Sequence, residues 1–176
     1  KEWKEKEKRK RWYIGDTYSL SIGQGHLLVT PLQIAYMTSA IAARGIVYTP
    51  HVVRSIEDPK TGKMSTPSSS QAFFTLPFSD SAISTVASGM RDCVEYGSCR
   101  LLAGLPFAVA GKTGTAQWNK VKDNHAGFNS FGPYKDPELV LTVLIEEGEE
   151  GSRTAVPVAY EFYKWWWDYR KSMGRE

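Results

Sequence analysis

One stretch of the sequence gathers groups that could hold an anionic ligand: Phe107-Ala108-Val109-Ala110-Gly111-Lys112-Thr113-Gly114-Thr115-Ala116-Gln117. It begins as an apolar run of strand length and goes on to a cation, two hydroxyls and two glycines. Lys112 supplies positive charge. Thr113 and Thr115 fall on one face of a strand, because strand side chains alternate. Gly111 and Gly114 remove side chains where another backbone must come close. The pattern suits an extended, peptide-like anion laid along the edge of the strand.

The chain carries its own control. Lys-Thr-Gly occurs twice, at 60–62 and at 112–114. The first copy follows Asp58-Pro59 and precedes Lys63, which is the chemistry of a hairpin turn between extended segments. The second copy follows an apolar strand and continues Thr-Ala-Gln. Context, not the tripeptide, separates them.

Several elements must position this strand. Thr30-Pro31 predicts a helix start, with Thr30 as N-cap and Pro31 where a missing N–H costs nothing. Gly45 suits its C-terminal end. Leu32, Ile34, Ala35, Met37, Ile41 and Ala42 cover most of the circumference, so this helix is expected to be buried, with Tyr36 and Met37 in the core. A second helix is predicted over 79–94, burying Ile83, Val86, Met90 and Val94. Strands are expected over 46–49, 51–56, 125–131 and 139–146. With the Lys112 strand, the last two predict an antiparallel meander. A closing helix over 155–169 would bury Val158, Ala159, Phe162 and Trp166. Trp165, Trp166 and Trp167 cannot all face inward, so at least one indole should be partly exposed. Residues 18–22 alternate and meet Gly23-Gln24-Gly25, which predicts an extended piece entering a tight turn; a close ligand is the other use of such glycines. Residues 65–70 read as a polar linker.

Composition bounds the rest. The 176 residues are 41% apolar, enough for a real core. No run approaches the roughly 18 apolar residues of a membrane span, and the charged start does not read as a signal peptide. The net charge of +3 is concentrated in residues 1–13, where seven Lys or Arg face three Glu. This opening reads as a charged, exposed segment, with an anionic surface as the functional alternative. The remainder is close to neutral, which argues against nucleic acid. His51 has no His, Cys or carboxylate at ligand spacing, so no metal site is expected. Cys93 and Cys99 form either a local disulfide, if the compartment is oxidising, or two plain thiols.

Taken in order, Gly15-Asp16-Thr17, Ser21-Ile22-Gly23-Gln24-Gly25, Thr30-Pro31-Leu32-Gln33, the run from Ala110 to Gln117, His125-Ala126-Gly127-Phe128 and Glu146-Glu147-Gly148 resemble the C-terminal half of a class B penicillin-binding protein transpeptidase domain. The elongation-type members are the nearer match. The resemblance covers nearly everything after residue 12, making 14–173 the C-terminal half of that domain. It implies an α+β fold, an antiparallel sheet packed against helices, of the penicillin-binding protein/serine β-lactamase-like kind. It implies a serine D,D-transpeptidase that cross-links peptidoglycan stem peptides and is acylated by β-lactams, with no metal or organic cofactor. Lys112 would be its catalytic cation, and Thr113, Gly114 and Thr115 would bind substrate or β-lactam. The Thr115 N–H would be one oxyanion donor.

That family's site also needs Ser-x-x-Lys and Ser-x-Asn. No serine here has lysine three residues on or asparagine two residues on. The nucleophile is therefore expected upstream, in an N-terminal half of the same protein, and this chain alone is expected to be inactive. Further partners implied are β-lactam antibiotics and a membrane glycan polymerase of the elongation machinery. The implied location is the periplasmic face of the inner membrane, with the parent anchored by an N-terminal helix outside this sequence. Two alternatives share the motif: a β-lactam sensor or binding domain, and a serine β-lactamase. A sensor should follow several membrane spans, and a β-lactamase should follow a signal peptide.

Overall fold

The computed structural model describes residues 1–66, 72–118 and 121–174. Most of the expected 65–70 linker therefore lies outside the described residues. The elements run α1 (Glu2–Lys8), α2 (Ile14–Ser21), α3 (Pro31–Ala42), β1 (Ile46–Tyr48), β2 (Ile56–Glu57), β3 (Met64–Ser65), β4 (Ala72–Thr75), α4 (Asp80–Glu95), a 3-10 turn (Arg100–Gly104), β5 (Ala110–Ala116), β6 (His125–Gly132), β7 (Leu139–Ile145) and α5 (Ala155–Ser172). The fold is α+β, as expected.

The expected meander is present. β5, β6 and β7 form one antiparallel sheet in that order, so β5 is an edge strand. Gly111 stands opposite Ser130, Thr113 opposite Phe128, and Gly114 opposite Gly127. One face of the sheet packs on α5, through Ala126, Phe128, Val156, Ala159 and Tyr163. Within this core the Tyr163 hydroxyl meets the Ser130 hydroxyl at 2.9 Å, and burial pushes the phenol pKa up. The other face carries α3, and α4 lies along β5. A Cys93–Cys99 disulfide, with Cys99 buried and Cys93 partly so, ties the end of α4 to the following turn.

Helix ends follow the sequence closely. Thr30 and Gln33 bond reciprocally as a capping box on α3. Ser79 caps α4 by accepting from Ala82 N. Gly45 takes a positive φ of 91° just past α3, where a side chain would be strained. The first Lys-Thr-Gly is the predicted hairpin. Asp58 N–H donates to Lys63 O, and its carboxylate accepts from Lys60 N, which holds that carboxyl below the usual range.

Other expectations fail for local reasons. Residues 18–21 belong to α2 and are not extended. Asp16 starts this helix by accepting from Tyr13 N at 2.8 Å, and a five-residue alternation does not outweigh that cap. Residues 51–55 form no strand. Among the described residues nothing pairs with them, and Pro50 lacks the N–H to begin a ladder. β5 starts at Ala110 rather than at Phe107, because the Phe107 ring turns into Tyr163, Trp166 and Trp167. α3 is not buried all round. Thr38 and Ala40 are buried, but Met37 is 57% exposed and Tyr36 only partly covered, since the chain packs on one side of this helix. Val86 on α4 is likewise half exposed. On α5 the buried stripe is Ala155, Val156, Ala159 and Tyr163, with Val158 pointing out. Trp165 is the exposed indole. The basic opening is mostly exposed, yet Lys4 is 95% covered, which leaves 5% exposed, and its ammonium pairs with Asp16.

Candidate active site

Hydrogen-bond parity along β5 decides what its free edge offers. In an antiparallel strand the N–H and C=O of one residue point the same way, and successive residues point oppositely. Just before the strand, Ala108 O accepts Tyr134 N at 2.8 Å, so this even-numbered residue faces the β6 side. Val109 O accepts Arg91 Nη1 at 2.9 Å, Thr113 O accepts Lys112 Nζ at 2.7 Å, and Thr115 O accepts Gln24 Nε2 at 3.2 Å. The odd-numbered residues thus face away from the sheet. The Thr113 and Thr115 N–H groups share that direction and stand at the open edge.

Side chains divide by the same alternation. Lys112 lies on the α3 side, near Met37, Thr38, Met90 and Asn129. Among the described residues no carboxylate pairs with its ammonium, so it can meet an incoming anion. Thr113 and Thr115 project from the opposite side. Thr115 is exposed, and the half-buried Thr113 Oγ1 is 2.7 Å from Ser98 Oγ. The edge therefore brings together a cation, two hydroxyls and two outward amides. These groups can grip a carboxylate and pair with an extended peptide backbone.

The two motif glycines serve different ends. A Cβ on Gly111 would fall 2.5 Å from the Phe128 ring, so this position admits a core side chain, not a ligand backbone as the sequence suggested. A Cβ on Gly114 would meet nothing within 4 Å, which leaves that face of the strand open. Behind it, Gly151 of the β7–α5 turn presses onto the backbone. A Cβ there would lie 2.4 Å from Gly127 O and 2.8 Å from Gly114 O. Gly23-Gln24-Gly25 is a turn, with φ of 73° and 84° at its glycines. It also delivers Gln24 to Thr115 across 91 positions of sequence. Sequence reasoning missed Ser98, Gln24 and Gly151 as neighbours of the strand. Only the glycine pair around Gln24 hinted at one of them.

The model of the penicillin binding protein transpeptidase domain matches residues 4–164. The chain belongs to this transpeptidase family. The peptidoglycan D,D-transpeptidase MrdA of Haemophilus influenzae is 34% identical, over 90% of this chain and 27% of that protein. The structure of PBP2 from Pseudomonas aeruginosa in complex with WCK 5153 aligns with a TM-score of 0.79 at 32% identity, covering 94% of this chain and 35% of that one. Penicillin-binding protein A from M. tuberculosis, solved as an imipenem acyl-enzyme complex, aligns at 0.71 and 26% identity, covering 83% of this chain and 33% of that one. The chain spans about a quarter to a third of the length of such relatives. Among the described residues no helix is long and apolar enough to cross a membrane.

Proposed function

We propose that this chain forms one wall of the active site of a peptidoglycan D,D-transpeptidase of the elongation type. The observation that carries the proposal is the outward Thr113–Thr115 edge of β5 with the Lys112 ammonium beside it, which no carboxylate pairs with among the described residues. A serine outside this sequence attacks the carbonyl of the D-Ala–D-Ala amide. The C–N bond breaks, D-alanine leaves with a proton on its amine, and an acyl-enzyme remains. The Thr115 N–H and the serine's own N–H stabilise the oxyanion. Thr113 and Thr115 hydroxyls donate to the terminal carboxylate, and Lys112 holds it electrostatically. Lys112 also assists proton transfer through the serine of Ser-x-Asn. The open face at Gly114 admits the substrate backbone along the strand.

β-Lactams acylate the same serine by opening their ring, and the chemistry calls for no metal or organic cofactor. The nucleophile-bearing half of the protein meets α3 and β5, where Leu32 and Met37 are exposed on the helix and Leu28 and Val29 line an open groove of about 520 Å3 beside the sheet. The enzyme works outside the cytoplasm, anchored by a helix beyond this sequence, alongside a membrane glycan polymerase.

The test is labelling by a fluorescent penicillin. The full-length protein should acquire a stoichiometric, hydrolysis-resistant label on a serine outside these 176 residues. The isolated chain should acquire none. A label on any serine of this chain would overturn the proposal.

A further inference from the structure

The Thr113 hydroxyl has a neighbour that the reaction scheme leaves unused. Ser98 Oγ sits 2.7 Å from Thr113 Oγ1. Ser98 lies in a loop held at both ends. Gly97 N and Cys99 N both donate to Cys93 O, and the Cys93–Cys99 disulfide closes the same six-residue span. Cys99 is fully buried beside Leu102 and Val109 in the core, which anchors the loop to the body of the protein. The other neighbour of the Ser98 hydroxyl is Cys93 Sγ at 3.5 Å, and a sulfur is a weak hydrogen-bond partner.

A threonine hydroxyl donates one hydrogen bond and accepts two. If Ser98 accepted from Thr113, the threonine would have no proton to offer a ligand. If Ser98 donates, its proton fills a lone pair on Thr113 and leaves the threonine proton free to point outward. Donation into a hydroxyl also polarises it and strengthens the bond it makes onward. A carboxylate arriving at the edge selects this second arrangement, because it can only accept.

We infer that Ser98 is a positioning residue for carboxylate recognition. Its hydroxyl donates to Thr113 Oγ1 and aims the threonine proton at the ligand, and the Cys93–Cys99 bridge keeps it there. The inference rests on Thr113 being a carboxylate ligand, as proposed above. Ser98 touches no reacting atom and acts through Thr113.

The test uses the full-length protein and stopped-flow acylation by benzylpenicillin, resolved into the dissociation constant of the initial complex and the limiting acylation rate. Ser98→Ala, Ser98→Thr, Thr113→Val and the Ser98→Ala/Thr113→Val pair are compared. Ser98→Ala should weaken initial binding by about fivefold to tenfold, the worth of one hydrogen bond, and change the limiting rate by less than about twofold. Ser98→Thr should restore binding. In the Thr113→Val background, Ser98→Ala should add nothing, because its effect passes through the absent hydroxyl. Additive effects, a silent Ser98→Ala, or a loss that Ser98→Thr does not repair would overturn the inference. A silent Ser98→Ala beside a large effect of Thr113→Val refutes the inference alone. A silent Thr113→Val refutes the carboxylate role of Thr113, and the inference with it.

Discussion

Gly151→Ala tests how tightly the β7–α5 turn backs the Lys-Thr-Gly strand. The new Cβ would stand 2.4 Å from Gly127 O, 2.8 Å from Gly114 O and 3.3 Å from Gly114 N. Those atoms belong to the paired backbones of β5 and β6, so no flexible side chain can yield. Relief needs the turn or the sheet to shift by most of an ångström, and overpacking of this kind costs about 1–3 kcal/mol. Gly151 has no positive φ, so the cost is steric and is offset by the roughly 0.4–1 kcal/mol that Gly→Ala gains through the unfolded chain. The net loss should be about 1–2 kcal/mol. In a domain of about 150–250 residues such a loss lowers Tm by roughly 2–8 °C, and in a larger one by less. Because the strain falls on Gly114, penicillin acylation of the full-length protein should slow as well. Gly114→Ala is the matched control. Its Cβ enters open space, so Tm should hold or rise while acylation falls. Thermal melting and fluorescent-penicillin labelling of both variants check this. A Gly151→Ala protein as stable as the parent, or a Gly114→Ala protein that is destabilised but acylates normally, would refute the account of these glycines.

Reduction of Cys93–Cys99 should destabilise the protein by roughly 2 kcal/mol, since the bridge closes a short loop; melts with and without a reductant would show this, and identical Tm values would contradict it. The clasp between the first two helices should open in acid. The Lys4 ammonium and the Tyr13 N–H hold the Asp16 carboxyl below its usual pKa, so the clasp's contribution is complete above the usual carboxylate range. It is lost as pH falls through the lowered value, below about pH 4. Tryptophan fluorescence from Trp3 and Trp12 should report the change, and Asp16→Asn should produce it already at neutral pH; a variant unchanged at pH 7 would count against the clasp.

Much of the fold was legible where local chemistry is decisive. Thr30-Pro31 marks the start of α3 because the threonine side chain fills an orphan N–H group, and the structure uses it so. Asp58-Pro59-Lys60-Thr61-Gly62 declares its turn, and β7 declares itself by its β-branched residues. What escaped depends on contacts distant in sequence. Phe107 looks like the first residue of a strand until three aromatic rings of α5 draw it aside. Met37 looks like core because periodicity reports which faces are apolar and not which ones find a partner within the chain. The motif residues stood out in the sequence by type and spacing, but their neighbours in the fold did not. Gln24, Ser98 and Gly151 reach β5 only through the fold, and nothing in their local sequence specifies that approach.

The central claim is that one Lys-Thr-Gly of two lines an acyl-transfer site, and Lys112→Ala against Lys60→Ala in the full-length protein tests it most directly. The readout is the second-order rate of acylation by a fluorescent penicillin. Among the described residues no carboxylate pairs with Lys112 at the strand edge, where the proposal puts the developing negative charge, whereas Lys60 lies in an exposed hairpin turn. Lys112→Ala should slow acylation on the order of a hundredfold or more, as losing a group that stabilises developing charge does. Lys60→Ala should leave it unchanged. Equal effects of the two substitutions would contradict the assignment of the site to β5.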